Sequence, residues 1–171
     1  MTAKWKWDWT GAEQLERAFS GGAAADALLR DVAVVYLAYL KRRYETQSRG
    51  GGEWPDLAPS TLTRKRYGKK KGAKAENARI LRNLGLLLNA LNIGAAGNAA
   101  RQTGPTRYEF GFADAPHGAG GPPYRQLAIW HDQGTSRMPQ RQILVLPDDA
   151  TVRVIERLLV NFVKRSTPNR R

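Results

Sequence analysis

Residues 124–149, which read YRQLAIWHDQGTSRMPQRQILVLPDD, are the stretch that decides the fold of this chain. The stretch opens with the alternation of a half-buried strand, which breaks at Gly134, and an apolar second strand is predicted from Ile143 to Leu146. The polar loop between these strands contains Pro139 and Arg141. Two strands joined by a proline-braced, arginine-bearing loop indicate that the loop is presented to a partner.

Two long helices are predicted on either side of this region. The first runs from Ala23 to about Tyr44, and its middle, Val32 to Leu40, is apolar nearly all round. Such a helix lies inside a core or between subunits. The last helix starts at Asp148 or Asp149, since either carboxylate can cap it, and its apolar stripe is among the cleanest in the chain.

The middle of the chain predicts a third helix and a hairpin. The helix covers Arg79 to Asn92, with Gly85 inside it at a cost of roughly 1 kcal/mol relative to Ala. A strand over Thr106 to Phe112 pairs with a weaker strand around Asn98 to Gln102 and turns at Gly104-Pro105. The fold class is therefore α+β: a small antiparallel sheet packed with a long N-terminal helix, a middle helix and a C-terminal helix, with long extended loops.

A chain of 171 residues suits one domain, which we predict over residues 1–165. Residues 47–78 show no convincing period, and we expect a long basic loop there. A compact domain rarely contains so long a loop unless the loop is functional or becomes ordered on a partner. Residues 166–171 are expected to form a flexible basic tail.

The charge balance indicates partners rather than fold. Lysine and arginine number 28 against 15 acidic residues, giving a formal net charge of +13. Such an excess favours nucleic acid or an acidic surface as the partner. The absence of cysteine excludes disulfides and thiolate chemistry. No apolar run is long enough to span a bilayer, so we expect no membrane partner and a cytoplasmic origin.

Basic residues concentrate at one place, where seven of the eleven residues from 64 to 74 are lysine or arginine. A solvated charge run is the plain interpretation. The sharper one is a flexible arm that contacts DNA phosphates or an acidic partner, because phosphate neutralisation is independent of base sequence. The residues that would make these contacts are Arg64, Lys65, Arg66, Lys69, Lys70, Lys71 and Lys74.

Three tryptophans near the N-terminus follow the two-residue period of a strand. Trp5, Trp7 and Trp9 alternate with Lys6 and Asp8. This strand either packs its indoles on the body of the domain or docks against a neighbouring subunit. Docking is favoured by the fact that three exposed indoles on a monomer would form an adhesive patch.

The sequence does not indicate an enzyme. Only His117 and His131 could act as imidazoles, and adjacent His131 and Asp132 on a strand would point to opposite faces and chelate a metal poorly. A Gly-rich phosphate loop before a helix, a G-x-S-x-G elbow and an H-E-x-x-H helix are all missing from the sequence. We expect no catalytic residue, no metal and no cofactor, with His131 engaged in ordinary packing.

Four short motifs resemble those of one family. Trp54 to Lys65 is similar to its W-x-x-L-x-x-x-T-x-x-x-K stretch, and Ile80 to Leu87 to its I-L-x-x-T-G-x-L helix. Tyr124 to Gly134 resembles a Y-A-x-I-H-x-x-G strand end, and Met138 to Leu144 resembles M-P-A-R-P-F-L. In this order over residues 25–165, the motifs resemble the virion-morphogenesis, or tail-completion, family of tailed bacteriophages. Asn83-Leu84 and Gln142-Ile143 depart from its pattern.

The resemblance implies structural work at the head–tail junction of a virion that is assembled in the host cytoplasm. The family's proteins are similar to ring-forming neck, tail-terminator or assembly subunits. We expect a homo-oligomeric ring, a hexamer or alternatively a dodecamer, that binds the head–tail connector or adaptor, the tail tube and packaged duplex DNA. The residues expected at interfaces are Trp54, Leu57, Trp130, Gly134, Arg137, Met138, Pro139 and Arg141.

Two other functions compete with this one. A non-sequence-specific DNA-binding protein outside any virion is favoured by the charge, but the sequence shows no recognition helix and no series of stacking aromatics. A small metal-dependent nuclease would need a cluster of carboxylates that the sequence does not assemble.

Overall fold

The computed structural model describes residues 22–67, 79–81, 85–104, 107–117 and 120–166, with only the backbone given for 64–67. Several predicted features lie outside these residues: the tryptophans before Gly22, the basic run beyond Tyr67, the Pro105 turn and the tail beyond Ser166. The described part contains helices and a two-stranded antiparallel sheet. The predicted α+β fold class is confirmed.

Helix α1 (Ala23–Gln47) is the longest element, with 25 residues and neither proline nor glycine within it. Its buried side chains recur three or four residues apart, which is the spacing of one helical face. The opposite face is open, since Val34 is 51% exposed. The predicted long helix is confirmed, although its apolar middle buries one side. The buried face consists of Ala25, Leu28, Ala33, Tyr36, Leu37, Leu40, Tyr44 and Gln47.

A short helix replaces part of the loop predicted over 47–78. Helix α2 (Pro59–Tyr67) begins at a proline, whose fixed φ and missing N–H suit the first turn of a helix. Trp54 precedes α2 and is buried in the core against α1. The prediction of an extended arm is therefore wrong for 54–67, because local helix signals and one core side chain order this part.

The helix predicted over Arg79 to Asn92 is also shorter in the structure. Only α3 (Leu86–Asn89) is helical among the described residues there. Gly85, with φ of 72°, and Leu81, with φ of 54°, both adopt left-handed backbone conformations. A continuous α-helix cannot pass through such residues. Gly85 therefore precedes a helix rather than lying inside one, and its missing side chain permits the conformation.

The predicted hairpin is present. Strand β1 (Arg101–Gly104) pairs antiparallel with β2 (Arg107–Glu109). A further bridge joins Asn98 to Phe112, so the two chain segments stay adjacent beyond the regular strands.

The segment from Tyr124 to Gln133 is helix α4, not the predicted strand. Arginine, glutamine, leucine and alanine in this segment are good helix formers. Tyr124 and Ala128, four residues apart, are buried together. Gly134, with φ of 72°, ends the helix. The alternation seen in the sequence is a by-product of a helical pattern that is just as complete.

The segment from Ile143 to Leu146 was also predicted as a strand, and this prediction is wrong because the segment has no strand partner in the described part of the chain. Side chains of α1 satisfy its carbonyls instead. The hydroxyl of Tyr36 donates to Val145 O at 3.0 Å, and that of Tyr39 donates to Leu146 O at 3.0 Å. Hydrogen bonds from side chains thus replace a β-ladder.

Helix α5 (Asp149–Ser166) closes the described fold and packs on α1. Asp148 Oδ1 accepts a hydrogen bond from the main-chain N of Thr151 at 2.8 Å, which confirms the predicted cap. Ile155 is buried. Within the described residues, none of the helices combines the length and the apolar character needed to cross a bilayer.

Replacing Tyr36 with Phe tests the tyrosine support of the 143–146 segment. Burial, with a smaller effect of Tyr39, raises the pKa of Tyr36 to about 12, so its hydroxyl is a permanent donor near neutral pH. Losing that donor should lower the free energy of unfolding by about 1 kcal/mol, as measured by urea denaturation. Tyr39→Phe, at a more exposed site, should cost less. Equal losses in the two variants would contradict this ranking.

Candidate functional site

The loop predicted to be presented is a closed turn over Gly134 to Gln140, called here the 134–140 turn. Main-chain N of Thr135 donates to Met138 O at 2.8 Å, and main-chain N of Met138 returns a bond to Thr135 O at 3.2 Å. The hydroxyl oxygen of Thr135 accepts from the main-chain N of Arg137 at 3.2 Å. These bonds hold the backbone in one shape and leave Arg137 exposed at the tip.

Gly134 fixes how tightly the turn closes on itself. Its φ of 72° is a conformation that other residues rarely adopt. A Cβ added there would lie 3.0 Å from the main-chain N of Gln140 and 3.2 Å from Met138 O. Both the conformation and the space therefore require glycine, and the two ends of the turn stay in contact.

Arg141 lies at the base of the turn and points inward. Its side chain is buried, with 6% relative exposure. Nη2 donates to Pro55 O at 2.8 Å and to Asp56 O at 3.2 Å, and Nε donates to Pro55 O at 3.1 Å. Its main-chain N donates to His131 O at 2.6 Å. One residue thus ties the end of α4, the turn and the approach to α2 together.

Trp54 strengthens the same contact from the other side. Its indole is 3% exposed and lies edge-on to Tyr44, with ring centroids 5.1 Å apart. Nε1 of Trp54 donates to Gln142 O at 3.1 Å, and Arg43 Nη1 donates to the same carbonyl at 2.8 Å. We call residues 54–56 and 141–142, with these hydrogen bonds, the Arg141 junction.

The structure divides the predicted interface residues into two groups. Trp54 and Arg141 are internal, so they were wrongly expected to present themselves to a partner; their polar atoms are used within the chain. Trp130 is 38% exposed, and Arg137 is exposed at the tip of the turn. Exposed Pro139 and half-buried Leu57, Gly134 and Met138 complete the set.

The predicted basic contacts fall largely beyond the described residues. Arg64, Lys65 and Arg66 lie in α2, of which only the backbone is described at these positions. Since the junction holds Asp56 three residues before α2 begins, it places the start of α2 and the 134–140 turn on one base. The remaining positions, Lys69, Lys70, Lys71 and Lys74, lie outside the described residues.

His131 and Asp132 lie beside the junction, each with one buried side-chain atom that has no partner among the described residues: His131 Nδ1 and Asp132 Oδ1. Burial, followed by the nearby charge of Arg141, lowers the pKa of His131 to about 4. Burial raises the pKa of Asp132. His131 is therefore neutral at physiological pH, which suits a position next to a buried guanidinium.

The described side chains do not assemble a metal site, since no group of three or more His, Cys, Asp or Glu occurs among them. His117 packs edge-on against Tyr124, with ring centroids 5.1 Å apart. The described contacts of the site hold backbone segments of the chain together.

The sequence also contained a signal for the α1 side chains that hold residues 142–146. Tyr36, Tyr39 and Arg43 are spaced three and four residues apart, so they share one face of α1. Long side chains with apolar stems and polar tips at this spacing indicate a face that is buried but must hydrogen-bond at its edge.

Comparison with known proteins finds no matching protein-family model, no matching curated protein and no matching solved structure.

Arg141→Lys tests the junction. A lysine ammonium cannot reproduce the planar fork that reaches two successive carbonyls, so the free energy of unfolding should fall by about 2 kcal/mol. Arg137→Lys, at the exposed tip of the same turn, is the matched control and should change it by less than about 0.5 kcal/mol. Chemical denaturation of both variants measures the two losses of unfolding free energy. Similar losses would contradict the stabilising role of the Arg141 junction.

His131 should make stability depend on pH in the acid range. Its pKa is about 4 in the folded chain against 6.5 for a free histidine, so between these values the unfolded chain binds more protons and stability falls as pH falls. Asp132, whose pKa is raised, acts in the opposite direction. The melting temperature should drop more between about pH 7 and about pH 5 in the wild type than in His131→Gln. An identical drop would remove His131 as the cause.

Proposed function

We propose that this chain is a structural virion protein of a tailed phage, which forms a ring at the head–tail junction as a tail-completion, neck or tail-terminator protein. One observation carries the proposal. Two of the four motif segments that resemble the family, Trp54 to Lys65 and Met138 to Leu144, lie far apart in sequence. They are hydrogen-bonded to each other at the Arg141 junction, across 85 to 88 positions. Because residues of the two motifs hydrogen-bond to each other, the two motifs are expected to occur in the same chain.

The junction suits a joining protein because it makes a rigid mount for exposed elements. The 134–140 turn and the start of α2 share one base, which hydrogen bonds fix in the isolated chain. A contact surface that is ordered before binding loses less conformational entropy when a partner binds. The exposed side chains Trp130 and Arg137 lie on either side of the C-terminal end of α4, and we assign them to that contact.

Assembly into a ring is supported by the apolar surface that remains open. Val34 on α1, Leu146 beside it and Val160 on α5 are each more than half exposed. Two different patches that complement each other around a rotation axis close a ring of copies. The ring is a hexamer, or alternatively a dodecamer, that contacts the connector or adaptor on one side and the tail tube on the other.

The positive charge fits this position. A ring repeats each basic residue in every copy, so a channel lined with cations holds duplex DNA by its phosphates without reading base sequence. The basic run from Arg64 to Lys74 is the segment that we assign to this contact.

Mass photometry and negative-stain microscopy of the purified chain test the proposal. The wild type should form closed rings at micromolar concentration. Trp130→Ser combined with Arg137→Glu should shift the mass distribution to monomers, because the proposal assigns both side chains to the contact between the ring and its partners or copies. Arg49→Glu, an exposed charge reversal on the far side of Trp54 in sequence, is the control and should leave the rings intact.

The result also separates the main competing function. A monomer that binds short DNA duplexes tightly and never forms rings would identify a free DNA-binding protein. This result would contradict the proposed ring. An unchanged melting temperature for the double variant is required, so that loss of rings is not loss of folding.

A further inference from the structure

A cleft of about 660 Å³ lies over the hairpin, between the hairpin and α4. Its volume falls within the range of about 300–1,000 Å³ that is typical of protein binding pockets. One wall consists of residues 98–101 and 109–114, from both arms of the hairpin. The other wall is one face of α4, formed by Arg125, Ala128, Ile129 and Asp132. The cleft therefore has room for one large side chain of a partner.

The interior of the cleft combines buried apolar side chains with one carboxylate. Phe112, Ala128 and Ile143 line it and belong to the hydrophobic core. Asp132 lines the same space and is half-buried, and its Oδ1 has no hydrogen-bond partner among the described residues. A buried acceptor without a donor is costly. The cleft therefore favours an apolar group that also carries a hydrogen-bond donor.

The exposed charges around the cleft pair with one another. The carboxylate of Glu109 lies 3.9 Å from Arg101 Nη2 and 3.4 Å from Arg107 Nη2. That of Asp114 lies 3.3 Å from Arg125 Nη1. Because each of these carboxylates has a cation beside it, the rim does not select a charged occupant. A polar rim around an apolar centre is typical of a pocket that binds one anchoring side chain, and tryptophan is among the most frequent anchors.

Trp130 carries the groups that would complement this cleft. Its indole is 38% exposed, and its Nε1 makes no hydrogen bond within the described part of the chain. The buried Trp54 differs, because its Nε1 donates to Gln142 O. An indole joins a large apolar area to a single N–H donor. Placed in the cleft, the Trp130 indole would cover the apolar interior and supply a donor for Asp132.

Trp130 cannot fill the cleft of its own chain. The four α4 residues of the cleft wall have the spacing i, i+3, i+4 and i+7, which is that of one helical face. At about 100° per residue, Trp130 lies about 150° around the helix from the centre of that face. The indole and the cleft are thus on opposite sides of α4. Two different, complementary patches make a heterologous contact, which repeats from copy to copy and can close a ring.

We propose that the cleft of one copy binds Trp130 of the next copy. The indole packs against Phe112, Ile129 and Ile143 of the receiving copy, and its N–H donates to the Asp132 carboxylate of that copy. Every copy then gives one tryptophan and receives one. This inference rests on the proposed association of copies, and it names the two surfaces that meet.

Complementation between two variants of the full chain tests the contact. Trp130→Ser removes the indole and keeps the cleft, whereas Ile129→Arg fills the cleft with a long cation and keeps the indole. Each variant alone should be monomeric in sedimentation velocity at concentrations at which the wild type assembles. An equimolar mixture should form a species with the mass of two chains and nothing larger. Such a pair has one intact contact, with no unused indole and no open cleft left to continue it.

Two further variants separate loss of the contact from loss of the fold. Ala99→Arg adds the same cation to the hairpin wall of the cleft and should behave as Ile129→Arg does, alone and in the mixture. Thr103→Arg is the matched control, because it adds that cation to an exposed hairpin position outside the cleft lining. The control should assemble as the wild type does. Far-UV circular dichroism identifies any variant that has lost its helices, and the other cleft variant then decides.

The remaining outcomes overturn the inference in distinguishable ways. Oligomers of wild-type mass in Trp130→Ser, or in a folded cleft variant, would place the contact elsewhere and leave the proposed ring standing. Folded variants that stay monomeric after mixing would show that the indole and the cleft do not meet. A wild type that is monomeric at every concentration would remove both proposals.

Discussion

The fold depends on one buried cation whose described side-chain hydrogen bonds all go to backbone carbonyls. The guanidinium of Arg141 makes its described hydrogen bonds to the carbonyls of Pro55 and Asp56, at distances from 2.8 to 3.2 Å. Removing a guanidinium from water is costly unless its donors are satisfied, and backbone carbonyls supply that satisfaction here. Because carbonyls belong to the chain itself, the contact fixes the path of the backbone. The position of the 134–140 turn and the start of α2 both follow from it.

Side chains of helix α1 supply hydrogen bonds that neighbouring strands of a larger sheet would supply in another α+β fold. Tyr36, Tyr39 and Arg43 of α1 donate to the carbonyls of residues 145, 146 and 142, in a segment that has no strand neighbour among the described residues. An unpaired buried carbonyl costs as much as a lost hydrogen bond, so an irregular segment can cross a core only where side chains meet it. This support is specific to the sequence, since the carbonyls of Val145 and Leu146 each accept from one tyrosine and that of Gln142 accepts from Arg43 and Trp54.

Local patterns predicted the elements that local physics decides. The length of α1, the cap of α5 at Asp148 and the hairpin near residues 98–112 follow from periodicity, capping and turn residues, and all three are present. The segment at Tyr124 to Gln133 satisfies both a period of two and a helical period, and its helix formers decided between them. Gly85 was assigned to a helix because the sequence does not display φ.

Contacts across long sequence separations could not be predicted in the same way. A carbonyl acceptor leaves no trace in residue identity, so nothing in the sequence links Arg141 to Pro55. Arg141 and Trp54 were both predicted to contact a partner. Both are buried instead, and their hydrogen bonds hold the fold together. The exposed positions Arg137 and Trp130 keep their assignment as candidates, because they extend from the frame that the buried pair builds.

Charge limits how copies of this chain can associate. Each copy carries a formal net charge of +13, so two copies repel one another at distances beyond direct contact, within a Debye length of about 8 Å at physiological ionic strength. Association must therefore come from short-range contacts in which apolar surface is buried and a local carboxylate meets a cation. In the proposed ring, DNA phosphates in the channel would weaken the same repulsion, so assembly of the ring would depend on the presence of the nucleic acid.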